Sequence, residues 1–158
     1  VALVNAAGEV FVGRRLSERG VPLDGHEWQM PQGGIDDGED RLAAAARELY
    51  EETNVRSAEL IAEAPHWLAY DLPEGARARF GGRYRGQTQK WFLFRFTGEE
   101  AEIDIAHPAG GAHKPEFAAW RWERWAALPD LVVPFKREVY LQVAAWFAPL
   151  SVPPAARP

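Results

Sequence analysis

The sequence predicts one α/β domain. Three observations carry that prediction. The β-prone runs "VALVN" and "VFVGRRL" open the chain, an amphipathic helix pattern fills residues 40–53, and further strand-like runs and a second helix follow. A chain of 158 residues that is 47% apolar and carries seven tryptophans suits a single core. No internal repeat or linker-like stretch divides it.

The elements follow in order. "AAGE" between the first two runs predicts a hairpin, and Ser17–Glu27, polar and holding Gly20, Pro22 and Gly25, predicts a loop. Trp28 to Met30 reads as a short strand stopped by Pro31, which cannot donate to a ladder. In the helix over Asp40 to Thr53, Leu42, Ala45, Ala46 and Leu49 make one apolar face. "HWLAYDL" and "TQKWFLFRF" predict two strands joined by the glycine- and arginine-rich "PEGARARFGGRYRG". Both faces of the second are apolar, as in a central strand covered on two sides. "EFAAWRWE" predicts another strand, and Phe135 to Phe147 a helix presenting Phe135, Val139, Val143 and Trp146. The domain is expected over residues 1–147, and the proline-rich tail, 148–158, is expected not to continue the helix.

Composition removes several function classes. A net charge of -5 argues against unselective coating of nucleic acid but leaves room for a local basic pocket. The absence of cysteine excludes disulfides, thiolate metal sites and thiol nucleophiles, and fits a reducing cytoplasm. No apolar run has the length of a membrane span, and no signal-peptide pattern opens the sequence. The chain starts at Val1 inside a strand pattern, so residues are expected upstream of it.

The chemistry concentrates in "GGIDDGEDRLAAAARELYEETNV", residues 33–55, where nine charged side chains surround four alanines. On a helix Glu48 and Glu52 lie about 40° apart and Glu51 about 60° further round. Carboxylates in one arc raise each other's pKa unless a cation lies between them. Oxygen ligands on a fixed frame suit Mg²⁺ or Mn²⁺. "PQGGIDDGE" provides a tight turn whose backbone approaches a ligand, and Arg47 can orient a carboxylate through a bidentate contact. Three glutamates alone more often mark a solvated helix face. The full spacing decides.

From Gly33 that spacing runs glycine, five residues, Glu39, seven residues, Arg47-Glu48-Leu49, one residue, Glu51-Glu52, one residue, Asn54-Val55. It resembles the Nudix box, a 23-residue signature of hydrolases acting on nucleoside diphosphates linked to another group. One position departs: Asn54 stands where the family usually has glycine, and asparagine also tolerates a left-handed helix cap. The resemblance implies an α/β/α sandwich with a mixed sheet, the box forming a loop-helix-loop over a metal site. It implies Glu48, Glu51, Glu52 and the Gly33 carbonyl as ligands of Mg²⁺ (or Mn²⁺), supported by Glu39 and Arg47. Two or more ions would offset polyphosphate charge and activate a water.

Further pieces, "WQMPQGGID", "YDLP", "GQTQKWFLFRF", "KPEFAAWRW" and "VVPFKREVY", are similar to the bacterial RNA pyrophosphohydrolase and dinucleoside polyphosphate hydrolase group. The added residues between Ser17 and His26 resemble its dinucleoside polyphosphate hydrolases. The resemblance implies a nucleotide polyphosphate or an RNA 5′ end as substrate, with Glu116 of "KPEF" joining the metal site from outside the box. Glu52 and Glu116 then compete for the role of general base.

Such a substrate needs cations and a stacking surface. Lys90 and Lys136 are placed on phosphates, Arg15 and Phe135 around a base, and the Tyr70 hydroxyl on the phosphate chain. Each has a plainer alternative: Phe135 as core, Lys90 as a snorkelling surface lysine, Arg14 in place of Arg15. Trp120 and Trp122 fit a core better than a base platform. The arginines at 77, 79, 83 and 85 fit a solvated loop as well as a contact to RNA. "EEAEID" reads as a solvated turn, and the four histidines show no short ligand spacing. Competing functions are a non-catalytic nucleotide sensor and a Nudix hydrolase of another nucleoside diphosphate derivative. The oligomeric state is left open.

Overall fold

A computed structural model describes residues 1–16, 25–79 and 81–152. The loop over 17–24, which holds most of the added residues before His26, and the tail over 153–158 lie outside the described residues.

Strand β1 (Ala2–Val4) turns into β2 (Val10–Arg15) as the predicted hairpin, with Val4 opposite Val10. Strand β8 (Phe117–Glu123) pairs along the whole of β2, so β1 and β3 (Trp28–Gln29) share its other edge. The chain leaves β3 through buried Pro31 into the glutamate segment, where the two sharing strands part. Strand β7 (Phe92–Phe96) runs parallel to β1 and antiparallel to β4 (Ala58–Glu63), which makes the sheet mixed. Strands β5 (Leu68–Asp71) and β6 (Gly86–Gln89) form a separate two-stranded ribbon.

Alternation along the strands sends side chains to two cores. Ala2, Val4, Val10, Val12 and Leu93 pack with Trp91 against α4 (Arg137–Ser151) on one face. Leu3, Phe11, Phe92, Phe94 and Phe96 pack against α1 (Arg41–Thr53) on the other. The architecture is helix, sheet, helix.

Four expectations are corrected. "TQKWFLFRF" is two strands, because the chain crosses from the ribbon to the main sheet at Lys90–Trp91 and Trp91 is buried under α4. The connection after β5 contains a short helix, α2 (Glu74–Arg79). The apolar face of α1 is rotated: Ala44 is buried and Ala46 exposed, since the helix turns Glu52 as well as Leu49 inward. Helix α4 runs through Pro149 to Ser151. There the buried Ser151 accepts from Trp125 Nε1 at 3.0 Å and from Arg95 Nη2 at 2.8 Å, and this packing outweighs the bond that proline removes. A short helix, α3 (Leu128–Leu131), precedes the turn at Pro134–Lys136 that leads into α4.

Candidate active site

Asp40 starts α1 by accepting from the Leu42 and Ala43 amides, and Asn54, left-handed at φ 68°, ends it. Between these caps Arg47 ties the preceding loop to the helix. Its Nε and Nη2 each lie 2.8 Å from a different Glu39 oxygen, the bidentate contact expected, and Nη2 also donates to Gly34 O at 2.8 Å. Its Nη1 reaches Glu48 at 2.9 Å and Glu51 at 3.0 Å. The Arg47 hydrogen bond, aided by the Asp36 amide, holds the Glu39 carboxyl down at about 2.

Glu48, Glu51, Glu52 and Glu116 line one cavity of about 500 Å³, together with Arg15 and Lys114. Glu52 is only 2% exposed and accepts from the Gln32 amide at 3.3 Å. Burial first, and then the charge of Glu116, push its pKa well up. Burial also raises Glu48, against the pull of Arg47. A Cβ on Gly33 would lie 1.9 Å from the Glu48 carboxyl carbon, so only glycine lets this backbone lie against that carboxylate.

Among the described residues no three acidic or imidazole groups converge on one point as they stand. Glu48 and Glu51 are turned onto Arg47, and Glu52 onto Gln32. The donor set still fits a hard divalent cation: all its side-chain donors are carboxylate oxygens, and two are held above their ordinary pKa where no cation offsets burial.

A basic and aromatic wall adjoins the acids. Lys136, 6% exposed, donates to Gln32 Oε1 at 2.9 Å and stands 5.4 Å over the Tyr70 ring. Tyr70 packs 5.6 Å from Phe135, and its hydroxyl donates to Gln87. Burial lowers Lys136 to about 8, with the Arg15 charge adding to the effect. Burial raises Tyr70 to about 12, with Arg15 opposing. Arg15 thus faces both the cavity and this wall.

Lys90 is engaged elsewhere. Its ammonium pairs with Glu63 at 2.8 Å and Ala64 O at 2.6 Å, and it lines a second groove beside α1 that Gln32, Gly33 and Glu48 also line. Trp120 and Trp122 join Phe11 in an aromatic cluster on the α1 face, as a core reading requires.

The NUDIX domain profile matches residues 1–143. The chain belongs to the Nudix family. It is accordingly a hydrolase acting on phosphoanhydride bonds. Similar Nudix proteins include an RNA pyrophosphohydrolase of Bradyrhizobium sp. (strain ORS 278), 57% identical over 96% of this chain and 90% of that one. Another, from Rhodopseudomonas palustris (strain HaA2), bears the same name and is 58% identical over 95% and 89%. Among solved structures, the E. coli dihydroneopterin triphosphate pyrophosphohydrolase has a TM-score of 0.67 at 22% identity, covering 93% of this chain and 92% of that one. A C. elegans Ap4A hydrolase has a TM-score of 0.56 at 18%, covering 93% and 96%. Both share the Nudix fold.

Three residues of this Nudix site escaped the sequence reading. Gln32 is the hub between acids and wall: its amide holds Glu52, and its side-chain oxygen takes Lys136 and, at 3.2 Å, Gln89. The quoted "WQMPQGGID" contains it, but nothing in its spacing marks a role. His113, 3.6 Å from Glu51, and Lys114 reach the cavity from a loop remote in sequence. Only the fold brings them there.

Proposed function

We propose that this Nudix hydrolase removes pyrophosphate from 5′-triphosphorylated RNA in the cytoplasm, a step in messenger RNA decay, and accepts dinucleoside polyphosphates as a second substrate class. The carrying observation is the placement of a four-carboxylate cavity beside the wall of Arg15, Lys136, Tyr70 and Phe135. The printed names of the relatives support RNA as the leading substrate.

In this reading Glu48, Glu51, Glu52, Glu116 and the Gly33 carbonyl hold Mg²⁺ or Mn²⁺, which when bound offsets phosphate charge and activates water. Arg47 holds one oxygen of Glu48 and one of Glu51, which fixes both side chains on the cavity rim and leaves their other oxygens for the ion. Lys136 and Arg15 place the phosphate chain, and Phe135 with Tyr70 offers a face to a base. Water adds to a phosphorus of the anhydride, the bridging bond breaks, and RNA with a 5′-monophosphate and pyrophosphate leave. The proton of the water passes to Glu52 or to Glu116, both of which line the cavity. Lys90, paired with Glu63, ties the crossover from β6 into β7 to β4, and it serves a phosphate only by leaving that pair.

A side-by-side assay of 5′-triphosphorylated RNA and diadenosine tetraphosphate, with product identification, tests the reading. Pyrophosphate from the RNA is expected; release of nucleotides from the second substrate alone would reverse the ranking. Mg²⁺ titration of Glu52→Gln and Glu116→Gln separates ligand from base, because added metal restores the loss of a ligand and not of a base.

A further inference from the structure

Asn54, the one departure from the Nudix box, does more than end the helix. Its side-chain Nδ2 donates to Glu102 O at 3.1 Å, and its Oδ1 accepts from the Gly110 amide at 3.0 Å. Both partners belong to the segment that leads to Glu116. The backbone there is strained: Ala109, Gly110 and Gly111 stand in succession at φ 52°, 66° and 87°, and alanine is costly in that region. Such a conformation persists only where its surroundings hold it. Asp104 N donates to Thr53 O at 3.0 Å at one end of the segment, and Leu16 N to Glu116 O at 2.8 Å at the other. Asn54 adds a side-chain contact at the start of the segment, to Glu102, and one between these anchors, to Gly110.

We propose that Asn54 is a positioning residue whose amide clips the 102–116 segment to the carboxylate helix, so that Glu116, His113 and Lys114 face the cavity before metal or substrate arrives. A glycine at this position would give the same left-handed turn without the clip. The inference rests on the reading of Glu116 as a metal ligand.

Asn54→Gly removes both side-chain bonds, while Asn54→Asp keeps the acceptor for Gly110. Mn²⁺ binding to the substrate-free protein is measured by the resonance of free Mn²⁺, alongside amide exchange at Gly110 and thermal unfolding. In Asn54→Gly, Gly110 exchange is expected to accelerate and Mn²⁺ binding to weaken about fivefold, the scale of one neutral hydrogen bond. Asn54→Asp, which loses the donor to Glu102 O and keeps the acceptor for Gly110, is expected to fall between the parent and Asn54→Gly on both readouts, and Asn54→Gly to add nothing to the Mn²⁺ deficit of a Glu116→Gln background. Unchanged Gly110 exchange and Mn²⁺ binding in a folded Asn54→Gly protein would reduce Asn54 to a helix cap and overturn the clip. Unchanged Mn²⁺ binding in Glu116→Gln would overturn the ligand reading, and Gly110 exchange alone would then decide the clip.

Discussion

Glu52 shows how one residue trades stability for chemistry. It is buried at 2% exposure, and its pKa is raised by that burial and by Glu116. In metal-free protein the sign follows: a carboxyl whose folded pKa lies above its unfolded value favours folding below the unfolded value, and that contribution is lost as pH rises through the folded one. Glu52→Gln is therefore expected to be at least as stable as the parent in chelator at neutral pH, and to flatten the loss of stability on raising pH. Its turnover should fall by orders of magnitude, as expected where catalysis rests on charge. Chelator melts and saturating-Mg²⁺ kinetics check the two halves; near-normal turnover would remove Glu52 from the mechanism. Lys136 works in the opposite sense. With its pKa lowered to about 8, it is charged below that pH and neutral above it. Nucleotide triphosphate binding should weaken as pH passes 8, and Lys136→Arg should erase that inflection, since arginine stays charged. Fluorescence titration across pH 7 to 9 (roughly one unit either side of that shifted pKa) reads it.

At the scale of elements, sequence periodicity located the glutamate helix, the opening hairpin and β8, because each carries its own hydrophobic pattern and turn chemistry. It passed over β4, "AELIAE", since alanine and glutamate are poor strand formers and this edge strand is recruited by pairing with β7. Pro149 misled for the converse reason: proline reports a local preference, and buried tertiary bonds at Ser151 override it. That explanation is testable. Ser151 Oγ accepts from Trp125 Nε1 and donates to Phe147 O at 2.8 Å, both buried. Ser151→Ala leaves the indole N–H unpaired, at a cost of about 1–3 kcal/mol. Denaturant unfolding should show that loss with activity per folded molecule unchanged; a change below about 0.5 kcal/mol, the scale of a neutral surface substitution, would mean that packing and the Arg95 bond to the Ser151 carbonyl hold the helix end without the hydroxyl. The site divides in the same way. The box residues were legible because one helix presents them at fixed spacing, whereas Gln32, His113 and Lys114 acquire roles only through contacts made by remote segments.

The whole molecule carries a net charge of -5, and four carboxylates of that excess share one cavity. Their mutual repulsion and burial are present in the folded chain and relieved on unfolding, where the glutamates separate into water. A divalent cation that binds the assembled cavity and not the open chain must therefore stabilise the entire domain. At a hundredfold excess over its dissociation constant the gain is about 2.7 kcal/mol, which for a chain of this size raises the melting temperature by roughly 5–10 °C. Binding requires ionised carboxylates, so the increment should shrink as pH falls and protons compete for Glu48 and Glu52. Monovalent salt at matched ionic strength controls for general screening, which is not confined to the cavity. Scanning calorimetry with Mg²⁺, Mn²⁺ and matched NaCl at pH 8 and pH 5 makes the comparison. A larger divalent increment at pH 8, reduced in Glu52→Gln, is the expected result. An increment equal for Mg²⁺ and NaCl, or unchanged by Glu52→Gln, would mean that the cavity is not where the cation binds.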